Sequence, residues 1–172
     1  MSTSKIALVT GANRGIGYSI ARHLTAAGIS VIGTYHTNED EAKAAETALS
    51  TESAKLRMLQ LDIANHASFT GFAEQVKALL ADAFGQQALN YVVQNAGNII
   101  HTRFDAATSE QLDNQYNIHF KGPYLLTVAL LRLIRAGGRI LTITSPATRF
   151  YLPHHCPYPA MEAGPELIDP HL

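Results

Sequence analysis

Residues 10–17 read Thr10-Gly11-Ala12-Asn13-Arg14-Gly15-Ile16-Gly17. Before them lies Ile6 to Thr10, a short apolar run closed by glycine, which reads as a buried strand. After them Ile16, Ile20, Leu24 and Ala27 fall at helix spacing, and Gly28 ends that pattern in a C-cap position. A glycine-rich turn between a strand and a helix lets the backbone approach a phosphate and sets the helix N-terminus against its charge. The glycines follow G-x-x-x-G-x-G rather than the commoner G-x-G-x-x-G. Glycine turns are common for structural reasons alone. What favours a dinucleotide pyrophosphate is the position of this one, directly after the first strand.

The pattern repeats outward from there. Ile29 to Tyr35 is the next strand, and Asn38 caps a helix whose first turn is acidic (Glu39, Asp40, Glu41) and whose inward face is Ala42, Ala45 and Leu49. Leu56 to Leu61 is a third strand, His66 to Phe84 a third helix ended by Gly85, and Leu89 to Val93 a fourth strand. Ser109 to Arg135 reads as a long helical region interrupted at Gly122-Pro123, and Arg139 to Thr144 as a fifth strand set off by Gly137-Gly138. Such alternation predicts right-handed crossovers and an α/β fold, a doubly wound, Rossmann-like parallel sheet truncated after the fifth strand. A single dinucleotide-binding domain over residues 1–172 is expected, with 150–172 an irregular tail rich in proline (Pro153, Pro157, Pro159, Pro165, Pro170).

Composition narrows the function. Thirteen Lys and Arg stand against fourteen Asp and Glu, so no basic excess serves a nucleic acid. The most apolar stretch, Pro123 to Ile134, contains Arg132 and falls well short of the roughly 20 residues of a membrane span. No secretory segment precedes the first strand, and the one cysteine, Cys156, fits a reducing cytoplasm. His154-His155-Cys156 lacks the spacing of a metal site, so no metal is expected.

Further elements follow in order. Asp62 comes after the third strand, Gln94-Asn95-Ala96-Gly97 ends the fourth, Asn117 lies in the long helix, Ser145 follows the fifth strand, and Tyr158 stands thirteen residues beyond it. Gly11, Asp62, Asn95 and Ser145 thus all fall just past strand ends, on the one edge of a parallel sheet where ligands bind. Together these elements resemble the short-chain dehydrogenase/reductase family over residues 5 to about 167. The resemblance implies hydride transfer between a nicotinamide coenzyme and a carbonyl or secondary alcohol of a small molecule. It assigns the chemistry to Ser145 and Tyr158 with support from Asn117. Coenzyme contacts would come from Gly11, Asn13, Arg14, Gly15, Ile16 and Gly17, from Tyr35 and His36, from Asp62 and Ile63, and from Asn95, Ala96 and Gly97.

No acid directly follows Tyr35, where a carboxylate would hold the ribose hydroxyls of NAD, and Arg14 offers a guanidinium to a 2′-phosphate. NADP(H) is therefore expected over NAD(H). The family also places a lysine four residues beyond the tyrosine, to bind the nicotinamide ribose and lower the phenol pKa. Here that residue is Glu162, whose charge acts in the opposite sense. Two readings stay open: a reductase with impaired turnover, and a non-catalytic NADP(H)-binding module. His119, two residues past Asn117, has two readings, a residue lining the cleft and, the one preferred, a helix residue with ordinary contacts. The helix around Leu126, Leu130 and Leu133 is expected to lie uncovered, so that the chain forms a homo-oligomer or is covered by a partner.

Overall fold

Alternation along the first strand sets up both faces of the sheet. In β1 (Ile6–Val9) all four side chains are buried. Ile6 and Leu8 point into one apolar cluster and Ala7 and Val9 into another, which is what a strand covered on both sides requires. The computed structural model describes residues 4–150 and 154–165. In chain order β1 is followed by α1 (Gly15–Ala26), β2 (Ser30–Tyr35), α2 (Glu39–Leu49), β3 (Leu56–Gln60), α3 (Phe69–Phe84) and β4 (Leu89–Gln94). Then come α4 (Ser109–Tyr116), α5 (Gly122–Leu130), β5 (Ile134–Thr142) and α6 (Tyr158–Ala163). Every strand pair is parallel and the order is β3-β2-β1-β4-β5. The chain therefore reverses its direction of winding at β1, and the crevice between the ends of β1 and β4 is the switch point.

The two faces differ in kind. Ala21 of α1 and Ala45 and Leu49 of α2 pack on Ala7, Val9 and Val31. Phe69, Phe72, Val76 and Leu80 of α3, with Leu126 and Leu130 of α5, cover Ile6, Leu8, Ile32 and Val92 opposite. Expected local signals hold. The Asn38 side chain accepts from the Glu41 N–H at the start of α2, and Gly85, at φ 61°, closes α3. Among the described residues no helix is long and apolar enough to cross a membrane.

Three expectations need correction. The long helix ends earlier than its apolar run suggests. Ile134 already pairs with Leu89, and five residues of β5 then advance against two of β4 before Arg139 meets Tyr91. Gly137, at φ 76°, sits in that bulge and gives it the left-handed residue it needs. The interruption expected at Gly122-Pro123 is present, as a π-helical segment, residues 117–121, joining α4 to α5. Proline lacks the N–H that an α-turn uses, and the wider turn absorbs the loss. Within the tail expected to be irregular, Tyr158–Ala163 forms the short helix α6. Finally, Leu126 and Leu130 are fully buried. The outward face of α5 consists instead of Tyr124 and Val128, with Leu131 just beyond.

Candidate active site

Thr10 begins the site. Its hydroxyl oxygen, buried at the end of β1, accepts from the N–H groups of Asn95 and Ala96, both at 2.9 Å. The Asn95 amide returns the tie by donating to the carbonyls of Thr10 (2.9 Å) and Gly11 (3.4 Å). On the other flank the Gly11 N–H donates to Thr34 Oγ1 at 3.1 Å and the Ala12 N–H to the Thr34 carbonyl at 2.8 Å. The glycine turn is thus fastened to β2 and β4. Gly11 and Gly15 both have left-handed φ, 67° and 59°. Gly17 is pressed on the Gly11 carbonyl and lies where a Cβ would stand 2.6 Å from Asn95 Nδ2.

The first turn of α1 carries no acidic residue, and Arg14 at its N-cap makes no side-chain capping bond. Its leading N–H groups and positive dipole end are open to an anion, and a Cβ at Gly15 would meet nothing within 4 Å. This fits a pyrophosphate. Arg14 and Ile16 are exposed at the turn, and His36 Nε2 lies 3.8 Å from Asp62 Oδ2. Tyr35 is half-buried at the end of β2. The other Asp62 oxygen accepts from the Ala64 N–H. Ile63 turns its side chain into the core. Asn13 donates to Glu41 Oε2 at 2.8 Å. This brings to the glycine turn an acid that the sequence shows only as part of a capped helix start.

The two residues to which the resemblance assigns the chemistry, Ser145 and Tyr158, lie beyond β5. The Ser145 hydroxyl oxygen accepts from the Ala147 N–H at 3.2 Å, and Tyr158 opens α6. Burial pushes the Tyr158 phenol above its usual pKa; the Ser145 hydroxyl, hydrogen-bonding to it, works against that, and Glu162 adds to it by its charge and as an acceptor. Asn117 is half-buried at the start of the π-helical segment, and its carbonyl shares a hydrogen bond with His66 Nε2 at 3.4 Å.

One residue was undervalued by sequence alone. His119 is 6% exposed, with Nδ1 2.7 Å from Glu162 Oε1, Nε2 2.6 Å from the Asn98 carbonyl, and its ring edge-on to Tyr158 at 5.1 Å. Gly97 makes room for it, since a Cβ there would stand 2.8 Å from His119 Cε1. A small open cleft is lined by Thr10 and Ala96 on one side and by Thr142, His119 and Glu162 on the other.

The sequence profile of a family described as short chain dehydrogenase matches residues 5–166. A hydroxynaphthalene reductase-like protein, Arp2, of Metarhizium robertsii is 29% identical over 168 residues, which are 95% of this chain and 60% of that protein. The polyprenol dehydrogenase of Mus musculus is 34% identical over 151 residues, 82% of this chain and 42% of that one. Among solved structures, the angucycline C-6 ketoreductase LanV with bound NADP superposes with a TM-score of 0.92 at 28% identity, covering 98% of this chain and 66% of its own. A short chain dehydrogenase of Burkholderia cenocepacia in complex with NADP gives 0.83 at 28%, over 95% of this chain and 65% of that one. This chain therefore spans about 60% of the length of the first of these relatives. With the parallel sheet, the fastened glycine turn and the strand-end residues in order, the chain belongs to the short-chain dehydrogenase/reductase family.

Proposed function

We propose that this chain binds NADP(H) and reduces the carbonyl of a small molecule to a secondary alcohol. The observation that carries the reading is the hydrogen-bonded meeting of Ser145 and Tyr158 next to His119 and Glu162, which line a cleft reaching Thr10 and Ala96. The N–H groups at the start of α1 would hold the pyrophosphate, and Arg14, Tyr35, His36 and Asp62 would surround the adenosine end. When bound, the nicotinamide supplies or accepts hydride. Tyr158 holds the proton at Oη that a carbonyl oxygen needs, and Ser145 orients that oxygen. Asn117 supports the pair from the π-helical turn. The phenol, its pKa raised, keeps its proton at neutral pH, and the same shift makes it a weaker acid than a lysine-assisted tyrosine. Bound NADP in the similar ketoreductase LanV supports the same coenzyme.

Glu162 in place of lysine keeps a second reading in view, a chain that binds coenzyme without turnover. Measuring binding and turnover separately on one preparation distinguishes the two. NADPH should bind more tightly than NADH, and Arg14→Ala should narrow the ratio; equal affinities unaffected by the substitution overturn the coenzyme assignment. Turnover of simple ketones at background level, with tight NADPH binding, selects the second reading. We also assign self-association to the outward face of α5.

A further inference from the structure

Glu162 is buried and faces His119, and the two together pose a problem of proton count. The Asn98 carbonyl only accepts, so His119 Nε2, at 2.6 Å from it, carries hydrogen. Asn98 is itself held in place, its side chain accepting from Gln115 Nε2 at 2.7 Å and donating to Asn114 Oδ1 at 3.3 Å. The 2.7 Å contact between Nδ1 and Glu162 Oε1 then joins a lone pair to a carboxylate unless one more proton lies between them. The side chains of His119 and Glu162 are 4% and 8% exposed. A bare carboxylate against a bare ring nitrogen at that depth is repulsive, even with the Tyr158 hydroxyl as a further donor to the carboxylate. With the proton present the pair is net neutral, whichever member holds it.

Among the described residues, α6 packs against the turn at Pro146–Thr148, the π-helical segment and α4. On those elements Glu110 and Asp113 are exposed, Lys121 is half-buried and Tyr116 stacks on Phe120. The titratable group the pair does face is Tyr158, edge-on to the His119 ring and one helical turn before Glu162 on the same face of α6.

We propose that the buried His119–Glu162 pair is the proton source for Tyr158, acting through the phenol. The proposal rests on the reductive reading above. Each carbonyl reduced gains a hydride at carbon from the nicotinamide coenzyme and a proton at oxygen from Tyr158 Oη. The phenolate so formed takes a proton through the Glu162 carboxyl as Nδ1 gives up its own. The pair is left as a neutral imidazole, still bonded to Asn98 through Nε2, and a carboxylate. It regains one proton from water through the open cleft. Over the cycle one hydride and one solvent proton enter and one alcohol leaves. His119 and Glu162 are in this sense positioning residues with a stored proton, Glu162 standing where the family has a lysine.

The test uses the full chain without coenzyme, so it does not depend on turnover. The ¹⁵N shifts of the His119 ring and the ¹³C shift of the Glu162 carboxyl are read together at pH 7.5 in wild type and in Glu162→Gln. Wild type should show the pair holding its proton, either as a ring protonated on both nitrogens or as a protonated carboxyl beside bare Nδ1. In Glu162→Gln the ring should be neutral with bare Nδ1, because the glutamine amide donates to it, whichever of the two forms wild type shows. A neutral ring beside an ionised carboxylate in wild type overturns the proposal, and needs no variant to fold. The link to Tyr158 is read from phenolate absorbance, isolated by subtracting Tyr158→Phe. Glu162→Gln should move the Tyr158 ionisation to lower pH, and an unchanged titration overturns the coupling. A chain that shows the stored proton yet never turns over defeats the reductase reading alone.

Discussion

Gly15 and Gly17 belong to the same turn yet are glycines for different reasons. At Gly15 the backbone is left-handed, φ 59°, but the space around it is open. Alanine there would cost about 1–2 kcal/mol of backbone strain and touch nothing. Gly17 has an ordinary backbone, but a Cβ would drive into the Gly11 carbonyl and crowd the Asn95 amide. Backbone is on the other side of that contact, so relief requires the turn to move. Gly15→Ala should therefore melt a few degrees below wild type and keep NADPH binding weakened but measurable, whereas Gly17→Ala should lose binding outright. Thermal melts with a coenzyme titration check this, and equal losses for both would show that the close packing at Gly17 is unimportant. The glycine spacing is legible in the sequence because it is local. The different demands on the two residues are not, since one depends on Asn95 from a distant strand. His119 shows the same limit more sharply. Its spacing on a helix says nothing about Asn98, Glu162 or Tyr158, which arrive from separate segments.

At the scale of elements, the sheet edge is held by few atoms. Thr10 Oγ1 alone accepts the N–H groups of Asn95 and Ala96, so it aligns the turn after β4 with the turn after β1. Thr10→Val keeps the shape and removes the acceptor. Leaving a donor unsatisfied costs about 1–3 kcal/mol, so the variant should melt several degrees lower and bind NADPH more weakly. Thr10→Ser, which restores the hydroxyl, should stay close to wild type; a Thr10→Val melt that matches wild type would mean that water replaces the hydroxyl. Elements with strong local punctuation, such as α2 behind Asn38 and α3 ahead of Gly85, are readable from the chain alone. The start of β5 is not. Leu131 to Ile134 continues an apolar helical run, and what makes Ile134 a strand residue is its partner Leu89 together with the bulge that Gly137 allows. Likewise α6 is obscured by its prolines, of which Pro159 falls in the first turn, where a missing N–H costs nothing.

For the whole molecule the decisive feature is which side of α5 is covered. Leu126 and Leu130 are 0% exposed against the core, so the helix has already used its inner face. Tyr124, Val128 and Leu131 recur at helix spacing on the opposite side, exposed by 47%, 57% and 52%. Single exposed apolar residues are ordinary on a protein surface, and it is their recurrence in one stripe that supports the self-association proposed above. The chain should therefore sediment as more than a monomer, with an average mass that rises with concentration. Charge is the tool to test the face without disturbing the core, because Val128 and Leu131 point outward. Val128→Lys with Leu131→Lys should shift the distribution to monomer while leaving the melt nearly unchanged, since surface substitutions of this kind fall within about 0.5 kcal/mol. A wild-type chain that stays monomeric across the concentration range removes the assignment. An oligomer that survives both lysines moves it elsewhere, and Leu141, 47% exposed on β5, is then the next residue to charge.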